Sequence, residues 1–263
     1  MSQEFFTKDV EYDGLTRSIL IQNENGPCAL LALANYLILK GVLSNLSTDT
    51  GIVDSDLIVA SIAEYITDTH HGRSDVTSGL LDTLHGLVTG MHVNVGFGSP
   101  TRFEETPEVR IFSLVGAPLF HLWVASPEDT ELYPYLFDIY YDKAVETVAT
   151  ASDSSNPEVL AIKSWLDATP TQMTVDGIEQ VGTILKDDSL GVVFINNHLS
   201  TITKHCGCLY ALVTDAGFAD RQDVVWEALD QVDGDTRLVD AFRAPKIIPR
   251  PIPKKKRTLC FIC

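Results

Sequence analysis

Hydrophobic and polar positions follow a helical period through the first third of the chain. Apolar residues three and four positions apart predict helices over 28–40, 54–71 and 74–91, the first ending at Gly41. A short strand is expected at 15–22, ahead of the first helix. This part of the chain is therefore expected to be mainly helical.

The pattern changes twice in the remainder. Strands are predicted over 91–97 and 109–116, followed by helices over 127–149, 157–170 and 175–185. The last third predicts strands over 190–205, 208–218 and 224–229, with a turn at Gly207, as an antiparallel meander. Helices that precede a sheet favour an α+β fold over alternating βαβ units.

Composition indicates a soluble globular protein with a sizeable core, since 45% of residues are hydrophobic and 21% charged. No run of about 18 apolar residues is present, and the polar N-terminus does not resemble a targeting peptide. The five cysteines are an odd number with close spacings, so reduced thiols are expected. A monomer of the cytoplasm or nucleus is therefore expected, with the cytoplasm preferred.

Charge divides the chain into residues 1–242 and a tail, residues 243–263. The net charge is −17, but the tail contains seven basic residues and no acid, which leaves 12 bases and 36 acids, or −24, in the rest. An acidic body disfavours nucleic acid and favours a basic partner. The tail is also rich in proline, so it is expected to lie outside the core.

Cys28 is the first candidate for chemistry. It follows Asn25-Gly26-Pro27 at the start of the first predicted helix, where the positive end of a helix dipole is expected to favour a thiolate. A nucleophile and a small buried side chain both fit this position. Sequence alone leaves the two open.

A thiolate nucleophile needs a base and a donor for the oxyanion. Gln22, six residues before Cys28, can supply an amide N–H to the same pocket. His198 lies in FINNHLSTI, where a strand leads into two asparagines. A cysteine on an early helix and a histidine on a later strand follow the chain order of papain-like proteases.

Metal and cofactor signals are weak. Apart from the tail cysteines, Cys206-Gly207-Cys208 lacks a second ligand pair at a sensible distance, so a tight turn is the preferred interpretation. No nucleotide-binding glycine motif is found. We therefore expect no metal and no cofactor.

Several blocks together resemble the MINDY family of deubiquitinating cysteine proteases. They are QNENGPCALLALANYL, HVNVGF, ETPEVRIFSLVGAPLFHLWVASP, YYDKAVE, FINNHLSTITKH, LYALVTDAGF and VVWEAL, in this order from about Leu20 to Leu229. The resemblance implies a papain-like α+β fold for residues 1–242. It also implies hydrolysis of isopeptide bonds after the C-terminal glycine of ubiquitin, with a preference for polyubiquitin of the proteasomal-tag linkage.

The resemblance implies a role for each residue that matches a functional position of the family. Cys28 becomes the nucleophile, His198 its base and Gln22 the oxyanion donor. The third catalytic member stays open between Thr214, Asp215 and a backbone group. Ubiquitin-contacting positions match Val93, Trp123, Tyr141 and Phe194, each of which also fits a core role that only exposure distinguishes.

Two other functions remain as alternatives. One is a catalytically silent ubiquitin-binding module, although retention of Gln22, Cys28 and His198 argues against it. The other is a cysteine protease or transferase that acts on a different substrate.

The tail carries a separate signal. Cys260 is fourth from the end and is followed by Phe261 and Ile262, which matches the C-a-a-X prenylation pattern with basic residues upstream. One lipid and a basic patch together suffice for membrane association. The alternative is a basic tail whose cysteines have no such role, for example a nuclear import signal.

Overall fold

The computed structural model describes residues 2–23, 26–44, 46, 50–71, 73–153 and 155–242. The helices are α1 Cys28–Leu39, α2 Ser55–Thr69, α3 Ser74–Thr77, α4 Leu80–Thr89, α5 Pro107–Leu114, α6 Tyr133–Leu136, α7 Tyr141–Thr150, α8 Pro157–Ala168 and α9 Val175–Ile184. The strands are β1 Glu4–Tyr12, β2 Leu15–Leu20, β3 Ile52–Asp54, β4 Leu119–His121, β5 Leu190–Ile195, β6 His198–His205, β7 Cys208–Leu212, β8 Trp226–Ala228 and β9 Arg237–Val239.

Helix α1 lies at the centre of the fold. Every residue from Ala29 to Leu39 is buried, so the helix has no solvent-facing side. It packs on β2, on β5 and β6, and on α2 and α4. A helix that is apolar all round is stable only in such surroundings. The predicted helix over 28–40, ended by Gly41, is confirmed.

A buried asparagine attaches β2 to this central helix. Asn35 is fully buried, and its amide both accepts a hydrogen bond from the Leu20 N–H (2.7 Å) and donates one to the Leu20 carbonyl (3.0 Å). Both polar ends of the side chain are thus satisfied inside the core. The contact fixes the end of β2, two residues before Gln22.

The smaller sheet has the strand order β2-β1-β3 and is antiparallel. Strand β1 was not predicted, because its charged residues masked the inward-facing Phe5 and Val10. The β1–β2 turn is formed by Asp13 and Gly14, both with positive φ (51° and 72°). An Asp-Gly pair is a strong hairpin signal, so this strand was detectable from the sequence.

The larger sheet has the strand order β4-β5-β6-β7-β8-β9. Strands β5 to β8 form the predicted antiparallel meander, with the turn of β6 and β7 at Cys206 and Gly207. Strand β4 pairs parallel to β5, with His121 opposite Phe194, and was not predicted. A parallel partner from a distant segment leaves no local turn signal.

Two predicted strands are wrong. Residues 109–116 fall mostly in α5, because Pro107 occupies its first turn and the Thr106 hydroxyl accepts a hydrogen bond from the Val109 N–H. Residues 91–97 form only isolated bridges, Val95 with Phe103 and Gly96 with Tyr140. Local capping chemistry thus outweighed the apolar run in the first segment.

Two predicted long helices are each divided. Gly79, with φ of 73°, separates α3 from α4, and residues 127–149 contain the short α6 and then α7. The helix over 54–71 is confirmed as α2, with the Asp54 carboxylate accepting from the Asp56 N–H at 2.7 Å. The architecture is mixed α+β as predicted. Within the described residues, none of the helices combines the length and the hydrophobicity of a transmembrane segment.

Candidate active site

His198 is positioned by a tight hairpin. Asn196 and Asn197 have positive φ (46° and 66°) and connect β5 to β6, where Ile195 pairs with His198. Asparagine tolerates this left-handed conformation, which two-residue hairpins require. His198 therefore stands at the first position of a strand in a rigid sheet.

Gln22 is fixed by hydrogen bonds from both its backbone and its side chain. Its backbone N–H donates to the Thr214 carbonyl at 2.7 Å, forming a parallel bridge beside Asp215. Its side-chain Nε2 donates to the Gly26 carbonyl at 2.9 Å. Gln22 therefore connects the segment after β7 to the turn that precedes Cys28.

Cys28 is the first residue of α1 and is half-buried against the main core. Pro27 lies just before it at the cap position, and the Pro27 carbonyl accepts the helical hydrogen bond of the Leu31 N–H at 3.1 Å. One turn further on, the Ala32 carbonyl accepts a hydrogen bond from the Thr201 hydroxyl of β6 at 2.8 Å. The helix of Cys28 and the strand of His198 are therefore packed directly together.

A cavity of about 530 Å³, which we call the His198 cavity, is lined by two of the three predicted groups. Gln22 and His198 both line it, and Cys28 is two residues from Gly26, to which Gln22 is bonded. The other lining residues are Asn23, Ser200, Leu212, Val213, Thr214, Asp215, Ala216, Gly217 and Glu227. Cys28 is not among the lining residues, and its observed connection to them is the hydrogen bond from Gln22 to Gly26, two residues before it.

The electrostatics of His198 involve an acid that sequence reasoning missed. His198 is exposed at the start of β6, but the protein atoms near its imidazole displace part of its water and lower its pKa, while the negative charge of Glu227 acts in the opposite direction. Glu227 accepts a hydrogen bond from the Thr236 hydroxyl. A single acid inside the apolar strand VVWEAL was the available signal.

Thr214 and Asp215, the two side chains expected behind the imidazole, lie beyond the end of β7, in the wall of the His198 cavity. The Asp215 carboxylate accepts a hydrogen bond from the Gly217 N–H at 2.6 Å. The Thr214 backbone carbonyl accepts the hydrogen bond from the Gln22 backbone N–H. Asp215 thus caps a short 3-10 turn, Ala216–Phe218. Thr214, Asp215 and Glu227 all adjoin the cavity, and the third role stays a prediction.

Trp123 and Phe194, expected at the ubiquitin surface, are core residues in this structure. Trp123 is 4% exposed, stacks on Trp165 with ring centroids 5.2 Å apart, and donates from Nε1 to the Thr169 hydroxyl at 2.7 Å. Phe194 is 8% exposed. Exposure was the observation that would separate the two roles, and for these two residues it favours packing.

Val93 and Tyr141 are only partly buried and lie on adjoining segments. The Tyr141 N–H donates to the Val95 carbonyl at 2.9 Å, and the Tyr141 ring contacts that of Trp123 at a centroid distance of 5.4 Å. Part of each side chain therefore remains exposed to solvent, where a partner can contact it. Their role in binding stays a prediction.

One group of described side chains could jointly contact a metal. Ligand atoms of His92, Glu104 and Asp142 lie within 4.8 Å of one another. All three residues are exposed, and His92 Nε2 is already hydrogen-bonded to Asp142 at 2.8 Å. Exposed charges adopt such arrangements without an ion, so this group alone does not define a metal centre.

Comparison with known proteins matches one family over most of the chain. The family model described as MINDY deubiquitinase matches residues 3–242. Ubiquitin carboxyl-terminal hydrolase MINDY-1 of Bos taurus is 34% identical over 252 residues, covering 90% of this chain and 53% of the relative. MINDY-2 of Bos taurus is 34% identical over 250 residues, covering 90% and 40%.

A fish relative matches this chain with similar identity and coverage. Ubiquitin carboxyl-terminal hydrolase MINDY-1 of Danio rerio is 33% identical over 254 residues, covering 92% of this chain and 49% of the relative. The chain thus spans about half the length of the curated relatives it matches. With a family model that matches nearly all of residues 1–242, the chain belongs to the MINDY deubiquitinase family.

Proposed function

We propose that this protein is a thiol-dependent deubiquitinase with a papain-like arrangement of helix-borne cysteine and strand-borne histidine. The observation that carries the proposal is the position of Gln22. Its amide is bonded to the turn before Cys28, while the residue itself lines the cavity that His198 faces. Family membership supports ubiquitin as the substrate, since the relatives are named ubiquitin carboxyl-terminal hydrolases.

The proposed reaction has two halves, the formation of a thioester on Cys28 and its hydrolysis. His198 takes the proton of the Cys28 thiol, and the sulfur attacks the carbonyl carbon of the ubiquitin C-terminal glycine. The oxyanion accepts hydrogen bonds from the Gln22 side chain and the Cys28 backbone N–H. His198 returns the proton to the departing lysine amine. Water then attacks the thioester with His198 as the base, the C–S bond breaks to release the ubiquitin carboxylate, and His198 gives the proton back to the Cys28 sulfur.

The lowered pKa of His198 suits this role, and its exposed position leaves the imidazole accessible to a substrate. A lowered pKa keeps the imidazole neutral, and hence able to accept a proton, at a pH where an ordinary histidine is partly charged. The amide of Gln22 has two N–H groups, and only one is used by Gly26. The second is available for an oxyanion without breaking the observed contact.

Linkage preference is a further part of the proposal. We expect polyubiquitin of the proteasomal-tag linkage to be cleaved fastest, with Val93 and Tyr141 contacting ubiquitin. The acidic body of the enzyme complements the basic face of ubiquitin, and such complementarity acts mainly on association rate and orientation. Raising the salt concentration should therefore slow capture of the chain more than its hydrolysis.

The test is incubation of the full chain with tetraubiquitin of each linkage, resolved on gels over time. Cleavage by the wild type and none by Cys28→Ala supports a deubiquitinase. Binding without cleavage by the wild type favours a silent ubiquitin-binding module. Cleavage of other peptide substrates but no ubiquitin chain favours a protease with a different substrate.

The tail, which lies outside the described residues, carries a proposal of its own. We expect prenylation at Cys260 and membrane association of an otherwise monomeric cytoplasmic enzyme. Mass spectrometry of protein from its native cell, with fractionation of a Cys260→Ser variant, tests this. An unmodified C-terminus and an unchanged distribution would leave the tail as a basic extension only.

A further inference from the structure

A second cavity, of about 610 Å³, shares no lining residue with the His198 cavity. We call it the Trp165 cavity. Its walls come from α6, α8, the segment before α9 and the connection between β8 and β9. Apolar side chains supply most of its surface, among them Leu132, Tyr133, Trp165, Met173 and Val232.

Acidic groups accompany this apolar surface. Asp129, Asp176 and Asp233 line the cavity, and among the described lining residues there is no lysine or arginine. Asp176 lies in the first turn of α9, and the Asp129 carboxylate accepts from the Leu132 N–H at 3.1 Å, which fixes its direction. The cavity therefore suits a ligand that is both apolar and positively charged.

We propose that the Trp165 cavity binds the chain's own C-terminal segment, residues 243–263. This segment has seven basic residues and no acid, whereas residues 1–242 carry a net charge of −24. Its sequence RAPKIIPRPIPKKKR alternates prolines and isoleucines with bases. One segment thus offers both properties that the cavity requires.

Proline content favours this occupant over an arbitrary basic peptide. Pro249, Pro251 and Pro253 at every second position favour an extended polyproline conformation, which loses little entropy on binding. Such segments bind grooves lined by aromatic rings, and nearby acids select for flanking bases. Tyr133 and Trp165 supply the rings, and the three aspartates supply the charge.

Chain length allows the contact within one molecule. Asp233 lies nine residues before Phe242, so the two are separated by no more than about 32 Å. Residues 243–263 extend to roughly 70 Å. Phe242 is itself held against the sheet, with its ring 4.4 Å from that of His205 and 4.9 Å from that of Tyr210. The segment can therefore return from Phe242 to the cavity.

Zero-length carbodiimide coupling of the full chain tests the contact, because it joins a lysine amine only to a carboxylate it touches. We expect Lys254, Lys255 or Lys256 to be joined to Asp129, Asp176 or Asp233 in the monomeric product, with a yield that falls as salt is raised. Adducts found only in covalent dimers would assign the cavity to a second copy's tail. Adducts spread over distant acids such as Glu64 and Asp68 would overturn the proposal.

Hydrogen exchange gives an independent measurement. Lys254→Gln, Lys255→Gln and Lys256→Gln, combined in the full chain, should accelerate exchange of amides in 129–136 and 165–176 by about tenfold, as expected when bound tail is released. A matched variant with Lys143, Lys186 and Lys204 changed to Gln has the same charge and an intact tail, and should exchange like the wild type in these segments. Equal exchange in all three proteins would contradict docking.

Discussion

The side-chain amide of Gln22 donates a hydrogen bond to the backbone carbonyl of Gly26, with 2.9 Å between nitrogen and oxygen. The contact determines where the amide lies relative to Cys28. We predict that Gln22→Ala lowers kcat by about 10²–10³, the cost of one oxyanion donor, with a small change in KM. Gln22→Glu has a similar size but no N–H, so it should be equally slow. Steady-state kinetics with wild-type activity in either variant would remove Gln22 from the mechanism.

Glu227 should set the pH dependence of the reaction through His198. Its negative charge raises the pKa of His198 against the larger lowering caused by partial desolvation of the imidazole. Glu227→Gln removes the raising contribution, so the imidazole stays neutral to lower pH and the acidic limb of the kcat/KM profile moves to lower pH. Thr236→Val keeps the charge and should move the limb less. A limb that shifts upward in Glu227→Gln would contradict this assignment.

Trp123 should contribute to stability more than to binding. It is 4% exposed, stacks on Trp165 and donates a hydrogen bond to Thr169. We expect Trp123→Ala to lower the free energy of unfolding by about 3–5 kcal/mol. Chemical denaturation measures it, with the partly buried Tyr141 changed to Ala as a comparison. Unchanged stability with a raised KM would contradict the core role and show that Trp123 contacts ubiquitin.

Lys8 should hold the segment that follows the wall of the His198 cavity. It is 3% exposed, and Nζ donates to the carbonyls of Phe218 (2.8 Å), Arg221 (2.8 Å) and Val224 (2.7 Å). Lys8→Met leaves these carbonyls without their charged donor, so we expect a loss of about 2–3 kcal/mol and faster amide exchange in 216–225.

The control for Lys8 is a lysine with a surface ion pair. Lys143→Met removes the exposed pair with Glu146 and should change stability by less than about 1 kcal/mol. Equal effects of the two substitutions would show that the three carbonyl contacts of Lys8 add nothing to stability.

Local chemistry explains which features were predictable. The hairpin that places His198 follows from Asn196 and Asn197, which accept positive φ, and α1 follows from its apolar run after Pro27. The lone acid in VVWEAL makes Glu227 conspicuous, but its proximity to His198 could not be predicted, because β7 lies between their strands. The burial of Trp123 likewise depends on α8, which is distant in the sequence.

The central claim, that Cys28 attacks the C-terminal carbonyl of ubiquitin, is tested most directly by a covalent probe. Ubiquitin with a thiol-reactive electrophile at its C-terminus should give one adduct, mapped by mass spectrometry to Cys28 and not to the partly buried Cys206 or Cys208. Cys28→Ala should give none, and His198→Ala should react much more slowly. An adduct at Cys206 or Cys208, or undiminished labelling of Cys28→Ala, would contradict the account.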